Sequence, residues 1–94
     1  GPEEVTAKFE ACVADFEDYI VFADLLGGTP CNTVSRLILE GRAIDLYAGM
    51  NLPMVIEFIN NSLVGGEEAY PARAQESIVK VNDLLSNFDD DEDE

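Results

Sequence analysis

Histidine is missing from the 94 residues, and basic side chains are few: five Lys and Arg stand against twenty Asp and Glu, for a net charge of −15. Nucleic-acid binding needs cations that neutralise phosphates, so this charge balance argues against it. The same field suits a protein partner with a basic docking face. Cysteine is also scarce. Cys12 and Cys31 have no metal-ligand spacing, and without histidine neither has the Cys–His pairing of an activated nucleophile. Both are expected as small buried hydrophobes, and no metal or cofactor is expected. No apolar run approaches membrane-spanning length, and no secretory signal pattern is visible, so the expected location is cytoplasmic.

What is present is enough apolar sequence, 47% of the chain, for one small folded domain, placed at residues 1–88. The run Asp89-Asp90-Asp91-Glu92-Asp93-Glu94 repels itself and is expected as a solvated, disordered acidic tail over 89–94. The opening Gly1-Pro2 reads equally as native sequence or as the remnant of a removed tag.

The chain is organised around Tyr19–Asn32, YIVFADLLGGTPCN. Tyr19–Ala23 is an apolar, β-branched and aromatic run that predicts a buried parallel strand. Asp24 closes it, Gly27-Gly28 permits a tight turn, Thr29 suits a helix N-cap and Pro30 suits the first helical position. In an open α/β sheet ligands bind at the carboxyl ends of strands, and a helix amino terminus favours an anion such as phosphate. A plain strand–turn–helix connection has the same local grammar, so this stretch alone leaves both readings open.

Before it, Val5, Phe9, Cys12 and Phe16 lie on one face of a helix over 3–16. After it, Val34, Leu37 and Ile38 form the stripe of a helix running to about Glu40, which Gly41 ends. Ala43–Ala48 alternates, with Ile44 and Leu46 on one face and Asp45 and Tyr47 on the other, and predicts a second, less buried strand. Gly49-Met50-Asn51-Leu52-Pro53-Met54 then repeats the order glycine, cap, proline, helix, with Asn51 as cap. Met54, Val55, Phe58, Ile59 and Leu63 are its expected buried stripe. This second turn should lie beside the first at the same sheet edge. Past Gly65-Gly66, the positions Ala74, Ile78, Val81, Leu85 and Phe88 predict one long helix over 70–88, packing on the sheet or on a second copy. Four helices and two strands make a poorly closed core, which points to a part supplied from elsewhere.

Taken together, Asp24-Leu25-Leu26-Gly27-Gly28-Thr29-Pro30-Cys31-Asn32 and Gly49-Met50-Asn51-Leu52-Pro53-Met54 resemble the paired motifs D-L-x-G-G-[ST]-P-x-N and G-x-N-[LI]-P-[ML] of the mannose-type enzyme IIA domain of the bacterial phosphoenolpyruvate:sugar phosphotransferase system. The resemblance covers roughly residues 3–88. It implies an α/β fold, an open, mostly parallel sheet with helices on both faces. It implies a phosphocarrier in sugar uptake, with a histidine that takes a phosphoryl group from HPr and passes it to the IIB domain, and it implies a homodimer. Carried over residue by residue, Asp24 matches the acid that orients that histidine, and Thr29 the hydroxyl facing the phosphoryl group. Gly27 and Gly28, with Thr29, match the phosphate-binding turn. Leu25, Met50, Asn51 and Leu52 match the partner-docking face, although cap and core packing explain the latter three equally well.

The chain departs from that pattern by having no histidine. The family's first strand, histidine loop, first helix and second strand would all precede Glu3, so the expectation is an N-terminally incomplete domain, inactive alone, with an exposed hydrophobic edge beside the strand at Tyr19. Two other readings stay open. One is an enzyme IIA-like docking or regulatory module that carries no phosphate. The other is the related subunit of a dihydroxyacetone kinase, which the Gly-Gly-Thr-Pro and Asn-Leu-Pro pattern fits less well.

Overall fold

The computed structural model describes residues 1–66 and 70–92. They form two compact units, Gly1–Asn51 and Leu52–Glu94.

The first unit is built as α1 (Pro2–Val13), β1 (Ile20–Phe22), α2 (Thr29–Leu39) and β2 (Asp45–Tyr47). The strands pair in parallel, with Ile20 opposite Asp45, Val21 opposite Leu46 and Phe22 opposite Tyr47. Parallel strands need a crossover, and α2 supplies it. Its buried Val34 and Leu37 meet Ile44, with Val21, Leu46, Ile38, Phe9 and Tyr19 packed around them. The period-2 alternation thus puts Val21, Ile44 and Leu46 on the helix side of the sheet. Among the described residues the sheet has two strands, so the mixed α/β character is present, on a small scale.

α2 ends as its glycine predicts. The Gly41 N–H donates to the Ile38 carbonyl and the Arg42 N–H to the Leu37 carbonyl, both at 3.0 Å, with Gly41 at φ +109°. This is a Schellman stop, which needs the left-handed conformation that glycine adopts without a Cβ penalty. Arg42 then ties the turn back to α1. Its guanidinium donates to both Glu10 carboxylate oxygens at 2.9 and 3.1 Å and to the Tyr19 hydroxyl at 3.4 Å. The bonds to Glu10, then to Tyr19, hold the guanidinium pKa above its ordinary value.

α1 is shorter than its apolar spacing predicts. It stops at Val13, where the Phe16 N–H donates to the Val13 carbonyl at 3.0 Å. Phe16 therefore leaves the helical face and is exposed. The half-buried apolar side chains are Val5, Phe9 and Val13, while Cys12 is exposed and only Cys31 is the buried thiol expected of both. Phe9 meets Tyr19 edge-on, with ring centroids 6.2 Å apart.

The second unit is helical: α3 (Leu52–Val64), α4 (Tyr70–Glu76) and α5 (Val81–Glu92). α3 and α4 pack through Phe58 and Tyr70, whose rings lie 6.0 Å apart at 61°, with Met54, Tyr70 and Ala74 buried. Val55 and Phe58 are half-buried, but Ile59 and Leu63, expected in the same stripe, are exposed. The single helix expected over 70–88 is two helices. The Ser77 and Ile78 N–H groups donate to Ala74 and Gln75, bonds of i→i+3 type that tighten and end α4. Ser77, Ile78 and Val79 are poor helix formers in succession, and the seam through Ile78, Val81 and Leu85 lies exposed. Of the acidic tail, α5 takes in Asp89–Glu92, and Asp93-Glu94 lie outside the described residues.

Candidate functional site at the carboxyl ends of the strands

One backbone residue joins the two loops. The Ala23 N–H donates to the Tyr47 carbonyl at 2.8 Å, and the Met50 N–H donates to the Ala23 carbonyl at 2.9 Å. Both bonds extend the β1–β2 ladder past the last paired residues, so Asp24, which follows Ala23, and Met50 emerge at the same sheet edge. The side-by-side placement expected of the two turns is what the first unit shows as far as Met50.

The first loop is a β-turn. The Gly28 N–H donates to the Leu25 carbonyl at 3.1 Å, and Gly27, third in the turn, has φ +87°. That conformation at the third position is the type II requirement, and it explains the glycine. At Gly28 the reason is different, because a Cβ there would stand 3.2 Å from the Leu25 carbonyl oxygen.

The helix start differs from the expected one. Gly28, not Thr29, is the cap residue, at φ −72° and ψ 161°, and no side chain caps the helix. The first helical bond runs from the Asn32 N–H to the Gly28 carbonyl, so Thr29 is already in the first turn and Pro30 follows it. The Thr29 hydroxyl is thus not spent on capping, and its carbonyl accepts the Thr33 hydroxyl at 2.7 Å. Asp24, Leu25, Gly27 and Thr29 are exposed and Gly28 is half-buried. A carboxylate, a glycine turn and the opening turn of a helix therefore share one accessible edge, and a helix amino terminus favours negative charge.

Of the expected docking residues, Leu25 is 64% exposed and Met50 39%, while Asn51 is half-buried just ahead of α3. Leu52 is exposed and opens the second unit. Sequence reading missed Leu26, which is 80% exposed on this loop. The signal was available, since position two of a type II turn points outward. Beside the loop an apolar groove of 380 Å³ runs between α1 and β1, walled by Phe9, Cys12, Val21, Phe22 and Val34, and reaches Asp24 and Met50.

A family model described as the PTS system fructose IIA component, EIIA-man, matches residues 1–81. The chain belongs to this mannose-type enzyme IIA family. The sorbose-specific EIIA component of Lacticaseibacillus casei is 42% identical over 43 residues, which is 46% of this chain and 31% of that protein. The fructose-specific EIIA component of Bacillus subtilis (strain 168) is 29% identical over 63 residues, which is 64% of this chain and 43% of that protein. The chain thus spans less than half the length of these curated relatives. No solved structure gives a significant match. Among the described residues no helix is long and apolar enough to cross a membrane.

Proposed function

We propose that this chain is part of a phosphocarrier of the sugar phosphotransferase system, in which a histidine takes a phosphoryl group from HPr and passes it to the IIB domain. The observation that carries this reading is the union of the two motif-bearing loops through Ala23. The 94 residues hold no histidine, so the acceptor has to come from outside them, and the chain by itself takes no phosphoryl group on histidine.

In this reading Asp24 accepts the far N–H of the acceptor imidazole, which fixes its tautomer and supports the cation formed on phosphorylation. Thr29 donates its hydroxyl and backbone N–H to the phosphoryl oxygens, and Gly27 and Gly28 let the backbone close around the group. Preorganised donors of this kind are what phosphoryl transfer asks of a protein. Leu25, Met50 and Asn51 form the face of the first unit on which HPr and IIB dock, and Leu26 joins them. The groove along β1 receives the strand that brings the histidine to Asp24. It thereby completes an open, mostly parallel sheet with helices on both faces. The working protein is a cytoplasmic homodimer.

A second reading is a docking or regulatory module of the same family without phosphate chemistry, which the lack of histidine favours only if residue 1 is the true start. One experiment separates them. Label from phosphoenolpyruvate is passed through enzyme I and HPr to this chain and to the full gene product. The phosphocarrier reading expects label on the full product alone, with about 100-fold slower uptake after Asp24→Asn, the size of effect general for a lost catalytic partner. No label on either favours the module.

A further inference from the structure

We infer that Asn32 is the positioning residue of the first loop, its carboxamide clamping the glycine turn and so fixing how Asp24 and Thr29 stand relative to each other. The functional half of this inference rests on the phosphocarrier reading, while the structural half rests on geometry alone.

The turn Leu25–Gly28 is soft by composition, with glycine at its third and fourth positions and a leucine 80% exposed at its second. Asn32 grips it from the helix side. Its Nδ2 donates to the Gly27 carbonyl at 3.0 Å, and its own N–H donates to the Gly28 carbonyl at 2.9 Å. One residue therefore holds two consecutive carbonyls. The peptide between Gly27 and Gly28 is planar and trans, so its carbonyl and its N–H point in opposite directions. Turning that carbonyl toward Asn32 turns the Gly28 N–H toward Leu25, where it makes the bond that closes the turn. The clamp and the turn bond are made and lost together.

The residue type follows from the same geometry. The group to be held is a carbonyl, so the side chain has to donate. Aspartate, of equal size, would set a second acceptor against it. Asparagine is a mediocre helix former because its carboxamide competes for nearby backbone groups. Here that competition is used, directed out of the helix into the loop before it.

The test uses the ¹⁵N-labelled chain and reads amide exchange. In Asn32→Asp the protection of the Gly28 amide should fall about ten-fold, the size of one net hydrogen bond, while the amides of β1 and β2 keep theirs. Asn32→Ala, which brings no new charge, should loosen Gly28 to a similar degree. In the domain that contains the acceptor histidine, either variant should slow phosphoryl uptake about ten-fold with unchanged apparent affinity for HPr, because misplacement of groups acts on turnover. Unchanged Gly28 protection overturns the clamp. So does an equal loss throughout β1, α2 and β2, which would make Asn32 a residue of general stability. Loosened Gly28 with undiminished uptake overturns the positioning role. A wild-type domain that takes no phosphoryl group, beside a loosened variant, overturns the phosphocarrier reading and leaves the clamp standing.

Discussion

α2 and α5 are amphipathic helices of nearly equal length, 11 and 12 residues, with opposite fates. α2 is fixed at both ends, by the Gly28 start and the Gly41 stop, and buries Cys31, Thr33, Val34 and Leu37. In α5 the apolar Val81, Leu84 and Leu85 are all more than half exposed. A helical stripe says which face seeks cover, and whether cover exists depends on the crossover geometry. A parallel βαβ connection must lay its helix on the sheet, so α2 is covered by necessity, whereas nothing of the kind constrains α5.

The largest test of this contrast is a pair of truncations. Leu37→Ala should cost about 2–4 kcal/mol in urea unfolding, the general cost of a core leucine, and Leu85→Ala should stay within about 0.5 kcal/mol. Equal losses would break the comparison and show α5 covered in solution, by a second copy or another partner. A smaller effect sharpens the account of α2. Gly41→Ala should cost about 1–2 kcal/mol, because its left-handed backbone strains any Cβ even though open space surrounds that position. A neutral substitution there would mean that the helix end relaxes into another stop.

The legibility of the fold divides along the same line. Val34, Leu37 and Ile44 were readable as core because two periodicities, helix and strand, aim them at one another. Both motif loops were readable as neighbours because parallel strands put their exits on one edge. The break at Ser77–Lys80 was not readable from spacing, since the seam keeps its register through residues that no longer propagate a helix. Phe16 failed in a related way, because a helix face extrapolated past Val13 continues on paper and not in the chain. The site was legible as a set of residues and less so as a mechanism of order. Thr29 looked like the cap, yet an extended Gly28 occupies that position, and the motif's last residue, Asn32, turned out to hold the loop.

The central claim is that the edge joined through Ala23 is the working face of the molecule. It is tested most directly by titrating the ¹⁵N-labelled chain with HPr and following every amide. The account predicts that the shifts concentrate at Leu25, Leu26, Gly27, Gly28, Thr29 and Met50 and leave Val81–Leu85 unmoved. Shifts confined to α5, with the two loops silent, would contradict it and move the docking face to the exposed apolar stripe.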